Sequence, residues 1–573
     1  MAPRENDERD EMDDGEPAER VAQSPADDEG FDLITSPLRR VRFGRVFVIA
    51  GPIGLAIAIV LSLWVSTMHV RHSLLVQVER TWHAGDRLAL RAQIVAERGG
   101  PIADTRVIAT LEQGGARIEL PPLGIAAEGS AGEGSFEVPA SFVPGPAALF
   151  IDLTAKGVDP IHERIDVDVV AHRDPILPTP IVSGSTLQYA DDSDAQTTSL
   201  AIVLRAAGRL LAGFDNELFV RVTDPQGKPY VGSVTVSLVE GELMGKTGVP
   251  SKPPILFSGT TDALGLVRLV GPLGSDVIRV EIVAGTVKRR LRMVSFAGGV
   301  DIDVEPDVVA PGGTIEVKAW GLSNKLAIHV DVHDGSGAFT DVMHPPVIGR
   351  EPPRPWTAPT TGTGIAQLEA HNHVTAPGES TAFARVLVTD ADPTRAASLA
   401  PLFAAHRAAI DAPRVERGYD GELERSYLRV LEAAALDPAE VAQARHYLLA
   451  TLPPAVYGPP VALVTRQRLE AELRVVQGRW RIIMRIFLLG GGALFLSVMA
   501  WGLVKSHERA AIDTLTELRR DHDPADRQGL VELEAQVRAA ARAGIARGLG
   551  VIAIMVGGIA LTMFILESIV WVF

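Results

Sequence analysis

The 573-residue chain has no cysteine. That one absence removes disulfide frameworks, thiol nucleophiles, cysteine-ligated zinc and attached c-type haem together. Aromatic residues make up only 5% of the chain, and the formal net charge is -16. No basic stripe interleaved with aromatics is present, which argues against nucleic acid as a partner. Neither H-E-x-x-H nor G-x-S-x-G occurs, so a zincin or an α/β-hydrolase has no support. The stretch Gly241–Thr247, GELMGKT, is one residue short of a phosphate-binding loop and continues into GVPSKPP where such a loop would open a helix. With these chemistries set aside, no catalysis and no cofactor are expected.

What is present begins with charge. Residues Met1 to Asp32 carry thirteen acidic and three basic side chains with few apolar ones, a composition that predicts a disordered tail over 1–37. From Val46 to Val70 follows a nearly uncharged apolar run, long enough at about 1.5 Å per residue to cross a bilayer of about 30 Å. Ile486–Val504 and Gly548–Leu566 are two further runs of spanning length. Arg39, Arg40, Arg42 and Arg45 before the first run, against Arg71 alone after it, predict a cytoplasmic N-terminus. Residues 73–481 would then be periplasmic in a bacterial inner-membrane protein. The arginines from Arg466 to Arg481 lie on the side this assigns to the exterior, so the charge near the second run does not decide orientation.

Between the first two runs the pattern is mainly β. In VRVTDPQGKPYVGSVTVSL, Val220 to Leu238, alternating apolar residues predict two strands. Asp224, Pro225 and Gly227 suit the tight turn that joins them. Similar strand–turn–strand plans at Ala84–Gln113 and Phe214–Gly241, with the opening of a third at Ala310–Gly337, predict three β-sandwiches at 73–172, 200–296 and 297–391, with a linker at 173–199. Ala/Leu-rich runs predict a helical membrane-proximal region over 392–481, with Asp437 before Pro438 as a helix start. The remaining plan is the basic flank and first membrane helix at 38–72, the second helix at 482–504, a cytoplasmic helical hairpin at 505–547 and the third helix at 548–573. In the hairpin, Ile512, Leu515 and Leu518 are expected to face Leu530, Leu533 and Val537. Gly490 to Gly492, Gly544 and Gly548 would let membrane helices approach, within one chain or in an oligomer.

The phrases WHAGDRLAL (82–90), LLAGFDNELFVRV (210–222) and PGGTIEVKA (311–319) resemble the macroglobulin-type β-sandwich domains of α2-macroglobulin-like proteins over roughly Gln77 to Asp390. Generic immunoglobulin-like and carboxypeptidase-regulatory-like sandwiches fit these phrases nearly as well. The protease-trapping members of the family use a Cys-Gly-Glu-Gln thioester, and without cysteine covalent trapping is not implied here.

One cluster remains. In KLAIHVDVHD, Leu326, Ile328, Val330 and Val332 form the buried side, leaving His329, Asp331 and His333 on the other face. In QLEAHNHV, Glu369, His371 and His373 are likewise left outward. If the two strands are neighbours, His329, His333, His371 and His373 would form an imidazole set suited to zinc, copper or nickel, with His344 on the connecting loop. The alternative is an ordinary polar outer face that merely tolerates histidine. The sequence as a whole reads as a membrane protein whose sandwiches bind or scaffold another envelope protein or a surface polymer. Signal coupling through the second helix is the alternative.

Overall fold

The computed structural model describes residues 53–54, 56–96, 102, 104–125, 131–180, 188–190, 199–296, 299–322, 328–343, 354–360, 362–372, 381–411, 421–453, 455–521, 527–565 and 567–568. The acidic tail, the start of the first apolar run, His344, His373 and Pro524 lie outside them. The chain divides into a compact unit from His69 to Glu472 and a second formed by the segments up to Met68 and from Leu473 onward.

Within His69–Glu472, three pairs of sheets each enclose an apolar core. In the first, a five-stranded sheet ordered Val461–Val464, His72–Gln77, Arg87–Ala96, Ala131–Glu137, Gly124–Ile125 faces a sheet ordered Thr81–His83, Val158–Val170, Gly145–Ala155, Arg106–Gln113, Ala116–Glu119. Leu74, Leu88, Leu90 and Ile94 of one sheet pack with Val107, Leu111, Leu149 and Ile151 of the other. The second pair sets Ala201–Ala206, Asp215–Thr223 and Leu266–Pro272 against five strands that include Ser233–Glu240 and Val277–Ala284. The third sets Val300–Glu305, Thr314–Gly321 and Arg354–Thr357 against a sheet ordered Val308–Val309, Ala382–Val388, Gly364–His371, His329–His333, Phe339–Met343.

The turn at Asp224 forms as the sequence implies. Asp224 Oδ1 accepts from the amides of Gln226 and Lys228, both at 2.9 Å, and Gly227 sits at φ +84. Its two strands nevertheless enter different sheets: Asp215–Thr223 pairs with Ala201–Ala206 and Leu266–Pro272, and Ser233–Glu240 pairs elsewhere. Asp215–Thr223 is covered on both faces. Leu218, Val220 and Val222 point into the second core, while Phe219 belongs to a fourth cluster built by helices.

Those helices are Ala400–Asp411, Gly421–Ala433 and Pro438–Thr451. Leu402, Phe403, Tyr427, Leu431 and Leu448 bury against Phe219 and Leu266 of the second sheet pair and Leu387 of the third. Asp437 caps the last of them: its side chain accepts from Glu440 N at 2.8 Å, and its own amide donates to Glu440 Oε2 at 2.9 Å. Val461–Val464, expected to be helical, is a strand paired with His72–Gln77. Two β-branched valines ending in Thr465 favour extension there, and Leu74 N donates to Thr465 Oγ1 at 2.8 Å.

Arg466–Arg520, which begins at the end of the first unit, and Gly529–Ile565 contain windows long and apolar enough to cross a membrane. Of the first apolar run, Ala56–Ser66 is a shorter apolar helix. The long helices pack together where glycine removes the side chain: a Cβ at Gly548 would meet Leu503 at 2.3 Å, and one at Gly544 would meet His507 at 2.5 Å. Arg519 Nε donates to Glu534 Oε1 at 2.8 Å beyond these contacts. Leu515, Leu518, Leu530, Leu533 and Val537 are half-buried, while Ile512 is exposed.

Candidate functional site

The histidine strands are antiparallel neighbours. His329 pairs with His371, Asp331 with Glu369 and His333 with Gln367. This register brings three of the four proposed histidines into one layer; the fourth, His373, is outside the described residues. The expectation of an outward polar face is corrected, because His329, Asp331, Glu369 and His371 are 0% exposed. Alternation correctly sorted the residues by face, but the polar face is covered by the five-stranded sheet of the first pair.

Arg91, from Arg87–Ala96, is the centre of that contact. It is fully buried and donates through Nε to Glu133 Oε1 at 2.6 Å, through Nη2 to Asp331 Oδ1 at 2.6 Å and through Nη1 to Gln77 Oε1 at 3.2 Å. His371 Nε2 lies 2.8 Å from Asp331 Oδ2. Burial alone would raise the Asp331 carboxyl, but Arg91 and His371 outweigh it and hold the group well below the usual carboxylate range. Burial likewise opposes the Arg91 charge, and Asp331 with Glu133 reverses that effect.

The layer continues sideways. His333 stacks on Tyr457 with ring centroids 5.0 Å apart, and its Nε2 is 3.9 Å from Glu369 Oε2. Glu369 accepts from Tyr457 N at 2.7 Å and from Gln367 Nε2 at 2.8 Å. Arg385 Nε donates to Gln367 Oε1 at 2.9 Å, and burial lowers its guanidinium to about 10. Among the described residues no group of three or more His, Asp or Glu side chains is arranged to hold a metal ion.

A second buried ion pair joins the helices to the second sheet pair. Arg221 Nη1 donates to Glu424 Oε2 at 2.6 Å and Nη2 to Glu424 Oε1 at 2.8 Å. Nη1 also reaches Tyr447 Oη at 3.1 Å, and the guanidinium lies 4.4 Å from the Tyr427 ring centroid. Glu424, opposed by burial, is still lowered to about 2 by Arg221 and Arg205. Sequence reasoning passed over both arginines, although each interrupts an apolar strand, in LALRAQI and LFVRV. An arginine in a strand ordinarily marks a solvent face, so nothing local distinguishes these two as buried.

Where the second and third sheet pairs meet Pro438–Thr451, a cleft of about 650 Å³ opens, lined by Asp215, Asp301, Asp303, Trp320, Phe383 and His446 among others. Burial, followed by the neighbouring carboxylates Asp303 and Asp215, raises Asp301 to about 7. His446 Nε2 is 3.0 Å from both Glu217 oxygens, and its Nδ1 is 3.7 Å from Asp307. Asp307 and Glu217 raise it to about 9, and it bridges Glu217 of the second sheet pair to Asp307, in the bend after Glu305. Both polar constellations spend their charges on one another, which is the arrangement of a joint.

No protein-family profile and no curated protein matches the chain. Among solved structures, similarity is found to Salmonella alpha-2-macroglobulin, with 10% identity over 56% of this chain and 23% of that one. It is also found to a tetra-tandem repeat from the extending region of a large adhesion protein, with 13% identity over 56% and 75%. A 1.5-MDa bacterial ice-binding adhesin gives 9% identity over 56% and 99%. The TM-score is 0.14 in each case, and at these values the likenesses assign neither family nor activity. This chain therefore spans under a quarter of the macroglobulin and most of the length of the adhesin fragments.

Proposed function

We propose that the chain is a membrane-anchored binding or scaffolding protein whose β-rich unit presents surfaces to another envelope protein or a surface polymer, without catalysis. One observation carries this reading: the buried ion pairs act as joints between sheets and helices. Arg91 with Asp331 and Glu133, and Arg221 with Glu424, fix substructures to one another. In this reading the N-terminus is cytoplasmic, residues 73–481 are periplasmic and three helices cross a bacterial inner membrane. Reporter fusions at Gly299 and Pro524 test that topology, and a cytoplasmic signal at Gly299 would sink it.

The second reading, signal coupling, draws on a different observation. The strand that opens the β-rich unit, His72–Gln77, is hydrogen-bonded to the strand that closes it, Val461–Val464, and Thr465 N donates to Leu74 O at 3.0 Å. Any rearrangement at this pair acts at once on the chain that continues as the helix from Arg466. Because the two ends are adjacent, residues 72–464 can be removed with a short bridge. Crosslinking of the full chain in native membranes, compared with that deletion, separates the readings. A partner lost with the β-rich unit supports binding, and one retained without it refutes a binding role for that unit.

A further inference from the structure

Two glycines fix the register of the long helices Arg466–Arg520 and Gly529–Ile565: Gly544 lies against His507 and Gly548 against Leu503. In this antiparallel register Lys505 stands within one residue of level with Arg547, and Arg509 stands level with Arg542. The second level is one helical turn, about 6 Å, beyond the first. All four cations are exposed, and among the described residues none of them is in an ion pair. Residues 505–509 and 542–547 contain one carboxylate, Glu508. Further along, Arg519 and Arg538 both pair with Glu534. At the opposite end of the helix pair, Arg481 and Arg485 donate through Nε to the two oxygens of Glu567, at 2.8 and 2.6 Å. Positive charge without a protein partner is thus gathered at one end.

That end coincides with the boundary of the apolar runs. Ile486–Val504 and Gly548–Leu566 are 19 residues each, about 28 Å as helix, which matches a hydrocarbon core of about 30 Å. Lys505 directly follows the first run and Arg547 directly precedes the second. The headgroup layer outside the core is about 5–8 Å deep on each side, so two levels about 6 Å apart fill it. We propose that Lys505, Arg509, Arg542 and Arg547 form a band that binds the headgroups of anionic phospholipids and sets the depth of the helix pair in the membrane. Phosphate oxygens accept charge-assisted hydrogen bonds from guanidinium and ammonium groups, and a net negative headgroup adds an attraction that the cation of a zwitterionic lipid cancels. Residues 510–534 carry seven carboxylates against three arginines, so the same anionic surface repels the far end of the hairpin and keeps it off the membrane. The proposal rests on the membrane-spanning reading above and adds the class of lipid, whichever side of the membrane the hairpin occupies.

The absence of cysteine makes the test direct. Ser506→Cys, at an exposed position between the two levels, carries a single fluorescent donor on the full-length chain in phosphatidylcholine vesicles. A trace of lipid with an acceptor on its acyl chain is added, either anionic phosphatidylglycerol or zwitterionic phosphatidylcholine. Energy transfer should report an enrichment of the anionic lipid beside the label of about fivefold, the equivalent of about 1 kcal/mol for one cation near the surface. The enrichment should fall towards unity in about 1 M salt, where the screening length is about 3 Å. Replacing the four cations together, by Lys505→Gln, Arg509→Gln, Arg542→Gln and Arg547→Gln, should abolish it, while Arg520→Gln, beyond the band, should keep it. Glutamine is a good helix former and the contacts at Gly544 and Gly548 are untouched, so the helix pair is retained. Equal transfer to the two lipids in low salt would overturn the proposal and leave the membrane-spanning reading standing. Transfer to neither would overturn both, and an enrichment that survives the four replacements or high salt would overturn the band alone.

Discussion

Glu424→Ala should cost the β-rich unit about 3–5 kcal/mol, the penalty for removing one partner of a buried ion pair. The side chains of Arg221 and Glu424 are 1% and 11% exposed, so solvent gives the orphaned guanidinium little relief. The carboxyl itself supplies an independent figure. Lowered from 4.5 to about 2, it contributes roughly 3 kcal/mol at neutral pH. A depressed carboxylate stabilises above its unfolded value, so this contribution is complete above about pH 4.5 and is lost as the pH falls towards 2. Urea unfolding of the solubilised full chain, followed through Trp82, Trp320 and Trp356, should show the midpoint falling by roughly 1–1.7 M if the slope is about 3 kcal/mol per M. The double replacement Arg221→Met with Glu424→Leu should recover most of the loss, since exchanging a buried pair for apolar groups is often neutral. An unchanged midpoint for Glu424→Ala at pH 7, or an equal loss at pH 2, would refute the reasoning.

Gly227→Ala should destabilise by more than about 1 kcal/mol, because a side chain there must adopt φ +84 and its Cβ would meet the Ser426 carbonyl carbon at 2.4 Å. Gly114→Ala, also at positive φ but with nothing within 4 Å, is the control and should lose less in the same urea assay. Thr465→Val removes the acceptor of the Leu74 amide and should cost about 1 kcal/mol, with faster hydrogen exchange at Leu74 as the local readout. His446 has its folded value raised to about 9, so its stabilisation is fully present below about 6.5 and disappears as the pH rises through 9. Stability curves of the unchanged chain and His446→Gln should therefore converge above pH 9, and a constant separation up to pH 10 would contradict the Glu217–His446–Asp307 bridge.

Much of the local structure was legible. The Asp224–Gly227 turn, the Asp437 cap and the glycine contacts at Gly544 and Gly548 follow from short-range rules of backbone and face, whereas the pairing of the His329 and Gly364–His371 strands was conditional in the sequence and is supplied by the fold. What failed was the assignment of outside. Val461–Val464 was merged with the helix that follows it, because its partner His72–Gln77 lies almost 400 residues earlier in the chain. The helices from Ala400 to Thr451 are legible as helices, but their apolar faces do not reveal which sheet covers them.

The sequence by itself determined which side chains share a face, where strands and turns begin, and which chemistries are impossible without cysteine. Only the tertiary structure decided that the polar faces bearing Asp331 and Arg221 are interiors. Alternation with period two is a property of the strand alone. Whether water or a second sheet meets a given face depends on long-range packing, and the partners Arg91 and Glu424 are separated from Asp331 and Arg221 by 240 and 203 residues.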